Sequence, residues 1–183
     1  MLIVVFLGAG GFLGTLVLDG NVHEVEPGRL YRSGQLDSGQ FVNVIRADGI
    51  RSILNLRGPS PGVRWYDAER RVSRGLGVAH YDYGISAEQS VTGAQIADIL
   101  ALIRAAPKPL LIHCKSGADR TGLVSALYEA VIEGKPAWQA RDQLSLRYGH
   151  FPWLGSRTIA MDQSYWTYVR ARSNSAASTV SHQ

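Results

Sequence analysis

Apolar residues recur along the chain with two spacings, one typical of strands and the other of helices. Short β-rich runs predict strands over residues 29–33, 51–56, 78–83 and 109–112. Longer stretches with apolar positions three and four residues apart predict helices over residues 38–48, 65–75, 91–105, 121–133, 136–147 and 156–172. Because strands and helices alternate, the sequence predicts an α/β fold with a central, largely parallel sheet and helices on both faces.

Two terminal segments lie outside this alternation. Residues 2–18 are uncharged and largely apolar, and their length is close to the minimum for a membrane-spanning helix. We interpret residues 1–20 as a membrane anchor, with a cleavable signal segment or a buried core element as alternatives. The charges that follow do not fix its orientation, so the protein is expected to be membrane-anchored on either the periplasmic or the cytoplasmic side. The Ser- and Ala-rich residues 173–183 are predicted to be disordered.

Length and composition fit one catalytic domain between these segments. The chain has 183 residues, of which 45% are hydrophobic, enough for one full core but not for two ordinary domains. We therefore expect a single domain over residues 21–172. The formal net charge of +4 comes without a basic run, so the composition does not favour a nucleic-acid partner. The chain's single cysteine excludes an intramolecular disulfide.

Residues 113–122 contain that cysteine and read His-Cys-Lys-Ser-Gly-Ala-Asp-Arg-Thr-Gly. A predicted strand ends just before Cys114, and a predicted helix begins just after Arg120. Backbone N–H groups at a helix start favour a negatively charged sulfur, and an arginine guanidinium can hold two phosphate oxygens at once. The spacing therefore indicates a thiolate nucleophile inside a phosphate-binding loop. The alternative is a small buried hydrophobic residue at position 114, but core packing would require neither Gly117 nor Arg120.

The stretch resembles the active-site loop of the cysteine-dependent protein tyrosine and dual-specificity phosphatases, in which His-Cys is followed by five residues, Arg, and then Ser or Thr. The required positions are filled by His113, Cys114, Gly117, Arg120, Thr121 and Gly122. Residues 31–36, 53–58 and 144–150 also resemble segments of small bacterial dual-specificity-type phosphatases. The resemblance spans about residues 21–170 and implies one phosphatase domain.

The resemblance also implies a reaction. Cys114 would attack phosphorus to form a phosphocysteine, Arg120 would hold the phosphate, and Thr121 would donate its hydroxyl to the departing sulfur. His113 is expected either to orient the loop through a backbone contact or simply to end the strand. The positions expected to bind phosphate are Lys115, Ser116, Gly117, Ala118, Asp119 and Arg120. This mechanism requires neither a metal ion nor another cofactor.

The leaving group needs a proton, and two carboxyl groups are candidates for the general acid. Asp82 ends a predicted strand, which is where the tyrosine and dual-specificity families carry their acid, on a separate loop. Asp119 lies inside the cysteine motif, as in the Gly-x-Asp-Arg-Thr loops of myotubularin-like and some bacterial lipid-active phosphatases. Because the chain lacks the Trp-Pro-Asp loop of larger tyrosine phosphatases, Asp119 is placed slightly ahead of Asp82. The other interpretation of Asp119 is an ion pair that orients a basic group.

The expected substrates are proteins phosphorylated on tyrosine, or on tyrosine and serine or threonine. Lys115 would favour polyanions, so phosphoinositides or inositol phosphates are the alternative substrates. A second alternative is a non-catalytic module that binds phosphate. The intact Cys114 argues against that module, because binding alone would not require a thiolate.

Overall fold

The computed structural model describes residues 19–180, with side chains described through residue 175. In chain order, the elements are β1 (His23–Glu26), β2 (Leu30–Ser33), α1 (Ser38–Ala47), β3 (Ser52–Asn55), α2 (Arg64–Gly75), β4 (Ala79–Asp82), α3 (Gly93–Ala105), β5 (Leu110–His113), α4 (Asp119–Val131), α5 (Ala137–Ala140) and α6 (Ile159–Val180). Two 3-10 turns, Arg141–Gln143 and Leu146–Tyr148, lie between α5 and α6.

The strands form one sheet in the order β1-β2-β5-β3-β4. β1 runs antiparallel to β2, whereas β2, β5, β3 and β4 run parallel to their neighbours. The prediction of a largely parallel sheet is therefore confirmed. The sequence does not predict β1, because this edge strand has four residues and buries only Val25, which leaves too short a pattern.

Helices cover both faces of the sheet, as predicted. On one face, α3, α4 and α6 pack against Leu110 and Ile112 of β5. On the other face, α1 packs through Phe41 and Ile45 against Leu111. Successive residues of a strand point to opposite faces, so a strand covered on both sides needs a continuous apolar run. β5 supplies that run at the centre of the sheet.

The parallel strands end at a common edge of the sheet. Their last residues lie side by side in the order Ser33, His113, Asn55 and Asp82. Because these are the carboxyl ends of parallel strands, the loops that follow them meet at this edge. Open α/β sheets bind ligands at such an edge.

The predicted helix over residues 136–147 is wrong. The chain forms α5, which ends at Ala140, and then two 3-10 turns. The backbone carbonyl of Gln143 accepts a hydrogen bond from Nη1 of Arg32 at 2.9 Å, so this carbonyl is drawn toward the sheet. A tertiary contact from a residue 111 positions away in sequence thus overrides the local helical pattern.

The C-terminal segment also differs from the prediction. α6 continues to Val180, so the structure describes residues 173–180 as helix where the sequence predicts disorder. The Ser173 hydroxyl donates to the Val169 carbonyl at 3.0 Å, and the Ser175 hydroxyl donates to the Ala171 carbonyl at 3.0 Å. Both serines thus lie within the helix and donate back to carbonyls four residues earlier. The predicted disorder of residues 181–183 falls outside the described part of the chain.

The predicted anchor or signal segment, residues 1–20, lies almost wholly outside the described residues, which begin at residue 19. Within residues 19–180, no helix combines the length and the hydropathy needed to cross a bilayer.

Candidate active site

The loop after β5 lies at the carboxyl edge of the sheet. His113 ends β5 and Asp119 begins α4, so residues 114–118 make the turn between them. We call residues 114–120 the cysteine loop. Cys114 is a free thiol and is 1% exposed. Because α4 starts at the end of this loop, the unpaired N–H groups and positive dipole end of the helix face it.

Gly117 fits the cysteine loop because it has no side chain. Its φ is +75°, a conformation that residues with a Cβ rarely adopt. A Cβ at this position would also lie 2.7 Å from the backbone nitrogen of Gly34 and 2.8 Å from the carbonyl carbon of Ser33. The loop and the segment after β2 are therefore packed backbone against backbone.

Three successive carbonyls of the cysteine loop accept hydrogen bonds from donors outside it. The pairs are Lys115 O with the Gln35 backbone N–H at 3.0 Å, Ser116 O with Asn21 Nδ2 at 2.9 Å, and Gly117 O with Arg32 Nη2 at 2.6 Å. The backbone N–H groups of the same three residues donate no hydrogen bond within residues 19–180. The carbonyls are thus held away from the centre of the loop, and the N–H groups remain free for an anion.

Arg120 has no carboxylate partner among the described residues. Its Nη1 lies 3.4 Å from the carbonyls of Leu56 and Ile85, and its buried Nε has no hydrogen-bond partner. Burial lowers the pKa of a second arginine, Arg57, and the positive charge of Arg120 lowers it further. Nη1 of Arg57 donates to the side-chain oxygen of Gln35 at 2.9 Å. Arg57 also lies 3.5 Å over the ring of Trp65. Arg120 and Arg57 therefore both have N–H groups that form no hydrogen bond with a described residue and could bind an anion.

A third guanidinium lies behind the cysteine loop. Arg32 is fully buried, and its Nη1 donates to the carbonyl and the side-chain oxygen of Gln143 at 2.9 and 2.6 Å. Its carbon Cζ lies 3.8 Å over the ring of Tyr148. Burial lowers the pKa of Arg32 to about 10, so the group remains charged at neutral pH. It supports the loop through Gly117 and places a buried positive charge beneath it.

His113 connects the cysteine loop to α2. Its Nε2 lies 2.9 Å from Oε1 of Glu69, which also accepts from Nε2 of His80 at 2.6 Å, while Oε2 accepts from the Gln35 side chain at 2.8 Å. Burial alone would raise the pKa of Glu69, but the hydrogen bonds from His113 and His80 lower it to about 2. The other ring nitrogen of His113 lies 3.4 Å from Cys114 O, which is long for a hydrogen bond.

The remaining loop residues differ in exposure. Lys115 and Ser116 are exposed, whereas Ala118 is buried. Thr121 is fully buried in the first turn of α4, and its hydroxyl has no hydrogen-bond partner among the described residues. The Thr121 hydroxyl therefore forms no hydrogen bond with the sulfur of Cys114 in this conformation, and the contact between them stays a prediction.

Asp82 ends β4, with β3 between it and β5. Its Oδ1 accepts from the Asn55 side chain at 2.8 Å, and its Oδ2 accepts from the Tyr66 hydroxyl at 2.7 Å. Burial and the hydrogen bond to Asp82 raise the pKa of Tyr66 to about 12, so this hydroxyl keeps its proton and donates. Both oxygens of Asp82 are thus occupied by protein donors in this conformation.

Asp119 lies in the first turn of α4, beside Arg120. Its Oδ1 is 2.7 Å from Nδ1 of His150, and the side chain is 20% exposed. No described residue forms a hydrogen bond with its Oδ2. His150 is fully buried, and its Nε2 is 2.7 Å from Oδ2 of Asp162. Asp119 belongs to the cysteine loop by its position in the sequence, whereas Asp82 ends a strand that β3 separates from β5.

A groove between α1 and α2 has a volume of about 360 Å³. Its lining includes Gln35, Phe41, Trp65 and Glu69. No residue of the cysteine loop lines this groove, although the backbone N–H of Gln35, one of its lining residues, donates to the Lys115 carbonyl. Within residues 19–180, no cluster of three or more His, Cys, Asp or Glu side chains is arranged to hold a metal ion.

A sequence profile described as the tyrosine phosphatase family matches residues 13–137, a span that contains the whole cysteine loop. The chain belongs to this family. Its membership confirms the resemblance carried by His113, Cys114, Arg120 and Thr121.

Two curated bacterial proteins are similar to parts of the chain. The beta-lactamase hydrolase-like protein of Xylella fastidiosa is 38% identical over 109 residues, which cover 58% of this chain and 24% of that protein. The dual specificity protein phosphatase TpbA of Pseudomonas aeruginosa is 36% identical over 64 residues, covering 33% of this chain and 28% of TpbA. The chain thus matches about a quarter of the length of each of these relatives.

Solved structures of phosphatases share the fold. The crystal structure of P. aeruginosa TpbA has a TM-score of 0.63 at 23% identity and covers 82% of this chain and 84% of its own. The catalytic domain of the PP-IP phosphatase SIW14 from S. cerevisiae has a TM-score of 0.64 at 18% identity, with coverage of 86% and 93%. At these identities the similarity establishes a common architecture.

Several residues of the site are not predicted as functional from the sequence. The supporting residues are Asn21, Gln35, Glu69, Gln143 and Asp162. Each is a polar residue in a segment distant from the cysteine loop, and only Gln35 lies in a segment that resembles the family, residues 31–36. The segment containing Arg32 resembles the family, but the resemblance does not indicate that Arg32 is buried behind the cysteine loop.

Proposed function

We propose that this protein hydrolyses phosphomonoesters through a phosphocysteine intermediate on Cys114, with phosphotyrosine, alone or together with phosphoserine and phosphothreonine in proteins, as the substrate class. One observation carries the proposal: the cysteine loop presents three unpaired N–H groups beside Arg120, which has no carboxylate partner among residues 19–180. Such a site suits the three equatorial oxygens of a phosphoryl group in transfer.

In the first step, the thiolate of Cys114 attacks phosphorus in line, the S–P bond forms and the P–O bond to the leaving group breaks. Arg120 and the loop N–H groups hold the transferring phosphoryl oxygens. Water then attacks phosphorus, the S–P bond breaks, and the sulfur departs as a thiolate. The hydroxyl of Thr121, which has no protein partner, would donate to the departing sulfur.

Asp119 is the proposed general acid of the first step. It lies in the cysteine loop with Oδ2 unpaired, whereas both oxygens of Asp82 already accept hydrogen bonds. A protonated Asp119 would give its proton to the leaving oxygen and would take one back from the attacking water in the second step.

The reaction is tested with 4-nitrophenyl phosphate and phenyl phosphate on the full chain. Cys114→Ser should abolish turnover of both esters. Asp119→Asn should lower kcat/KM for phenyl phosphate by about 100-fold or more, but should affect the nitrophenyl ester far less, because nitrophenolate leaves without a proton. Asp82→Asn should show no such difference. If Asp82→Asn alone gives the selective loss, Asp82 is the acid instead.

Inositol phosphates and phosphoinositides are the second candidate substrates. Lys115 is exposed at the cysteine loop, and Arg57 lies near Arg120, so the site has cations beyond those needed for one phosphate. The structural relative SIW14 is described as a PP-IP phosphatase. If polyanions are preferred, Lys115→Gln should raise KM for an inositol phosphate severalfold and leave KM for a phosphotyrosine peptide nearly unchanged.

A non-catalytic phosphate-binding module remains the third candidate. It predicts phosphate binding without turnover of any aryl phosphate. Membrane association through residues 2–18 is a separate proposal, which rests on their apolar composition. A topology reporter fused after residue 20 and at the C terminus would test both the anchor and its orientation.

A further inference from the structure

His150 is a buried titratable residue that the proposed reaction does not use. Its side chain is fully buried, and both ring nitrogens lie 2.7 Å from carboxylate oxygens. Asp119 approaches Nδ1 from the first turn of α4, and Asp162 approaches Nε2 from the first turn of α6. Arg141 donates to the other oxygen of Asp162 at 2.9 Å. A buried imidazole is therefore clamped between the cysteine loop and α6.

The two short contacts require two protons. A ring nitrogen and a carboxylate oxygen at 2.7 Å share a proton, because two bare acceptors at that distance would repel each other. With both carboxylates ionised, His150 is an imidazolium. Burial alone would lower the pKa of His150, but the hydrogen bonds to Asp119 and Asp162 outweigh it and raise the pKa. The charged groups that face the ring are Asp119 from α4 and Asp162 from α6, with Arg141 behind Asp162.

The clamp leaves the two oxygens of Asp119 in different environments. Oδ1 accepts from Nδ1–H of His150, whereas Oδ2 has no hydrogen bond with any described residue. With a side chain that is 20% exposed, Asp119 can present Oδ2 to a ligand in the cysteine loop.

We infer that His150 is a positioning residue for Asp119: it holds Oδ1 so that Oδ2 faces the leaving group, and its positive charge stabilises the carboxylate left after proton donation. This inference rests on the proposed function. As the P–O bond breaks and the S–P bond forms, the proton on Oδ2 passes to the leaving oxygen. Asp119 becomes a carboxylate that still accepts from Nδ1–H, and no proton leaves His150. In the second step, water returns a proton to Oδ2 as oxygen attacks phosphorus and the S–P bond breaks.

Removing the charge of His150 should change the pH dependence of the reaction. A nearby positive charge favours the ionised form of a carboxyl group, and its effect amounts to about one to three pH units. His150→Asn offers a neutral amide N–H to Asp119 in place of the imidazolium. The carboxylate form of the acid would then lose a stabilising positive neighbour, so the alkaline limb of kcat/KM should move upward. Because the acid would also be weaker, kcat should fall more for phenyl phosphate than for 4-nitrophenyl phosphate.

The experiment measures kcat/KM against pH for both esters with the full chain. The variants are His150→Asn, Asp162→Asn and, as a matched control, Asp142→Asn, which replaces an exposed carboxyl in the neighbouring 3-10 turn. Asp162→Asn should shift the limb in the same direction as His150→Asn, because it removes the carboxylate that keeps the imidazole charged. Asp142→Asn should follow the wild type.

The double variant Asp119→Asn with His150→Asn isolates the coupling. In the Asp119→Asn background, adding His150→Asn should not move the alkaline limb of kcat/KM any further. An unshifted limb in folded His150→Asn or Asp162→Asn would overturn the inference, as would an equal shift in the background that lacks Asp119. Circular dichroism checks folding, and Asp162→Asn carries the test if His150→Asn does not fold. Turnover that survives Cys114→Ser would instead overturn the proposed function itself.

Discussion

At the scale of single residues, the conformation of the cysteine loop depends on two residues that contact backbone atoms, Arg32 and Gly117. Arg32 is buried behind the cysteine loop and donates to the Gly117 carbonyl. Gly117 in turn packs so closely against the backbone of Gly34 that a Cβ at position 117 would not fit. The conformation that frees the loop N–H groups is therefore fixed from outside the loop.

Gly117→Ala should disable the site without unfolding the protein. The new methyl group combines a positive φ with contacts below 3 Å to backbone, so the loop must move. A displacement of about 1 Å at a reacting centre can cost about 100-fold in rate. The matched control is Gly62→Ala, because Gly62 also has a positive φ but nothing lies within 4 Å of its Cβ position.

Both alanine variants should lose about 1–2 kcal/mol of unfolding free energy from the strained φ. Only Gly117→Ala should lose turnover of 4-nitrophenyl phosphate. Urea unfolding and steady-state kinetics on the two proteins measure these quantities. Full activity in Gly117→Ala would contradict the account of the loop.

The nucleophile and phosphate-binding arginine can be predicted from the sequence because they lie six positions apart in one motif. His150 and Arg32 cannot be assigned their places in that way. His150 reaches Asp119 across 31 positions, and Arg32 reaches Gly117 across 85 positions. Such contacts depend on the packing of separate elements, which local spacing does not encode.

At the scale of elements, α2 buries a polar stripe rather than an apolar one. The helix is predicted from its spacing, but its buried residues are Tyr66, Glu69 and Ser73. Glu69 joins this helix to β5 and β4 through His113 and His80. A hydrophobic pattern therefore locates α2 without revealing what holds it against the sheet.

Glu69→Gln should weaken this connection. Glu69 has a pKa of about 2 in the folded protein against an ordinary 4.5, so its ionised form contributes stability that is fully present above pH 4.5 and lost as pH falls through about 2. The shift corresponds to about 3 kcal/mol. Urea unfolding at a series of pH values should show the variant less stable by about this amount near neutrality, with the difference vanishing in acid.

Glu88→Gln is the control for this experiment. Glu88 has a 53% exposed side chain paired with Arg157, and exposed pairs contribute about 0–1 kcal/mol. A Glu69→Gln protein that tracks Glu88→Gln across the pH range would show that Glu69 does not stabilise the fold in its ionised form.

The elements best predicted from the sequence are those with a regular local spacing of apolar positions. α1 to α4 and β2 to β5 match the predicted ranges to within about two residues, the usual uncertainty of such boundaries. α5 and the turns after it do not match, because Gln143 is bound by Arg32. In place of the helix predicted through residue 147, the chain turns at Gln143, which binds Arg32, and Arg32 in turn holds Gly117 of the cysteine loop.

At the scale of the whole molecule, the buried groups Glu69 and His150 make the free energy of unfolding depend on pH. Glu69 sets the acid side, as argued above. His150 acts on the other side, because its pKa in the folded protein lies above the ordinary 6.5. Its contribution is therefore fully present below pH 6.5 and lost as pH rises through the folded-state value.

His150→Asn should remove that pH dependence. The wild type should exceed the variant in unfolding free energy below pH 6.5, and the difference should shrink as pH rises. Thermal unfolding of both proteins across this range measures the difference. A constant gap between them would show that His150 does not change its protonation on unfolding.

The central claim is that Cys114 carries the phosphoryl group during turnover. The most direct measurement is mass spectrometry of the protein quenched in acid during hydrolysis of 4-nitrophenyl phosphate, followed by peptide mapping. We predict one added phosphoryl group, located on the peptide that contains Cys114 and absent from Cys114→Ser. A phosphoryl group on another residue, or turnover that continues in Cys114→Ser, would contradict the account.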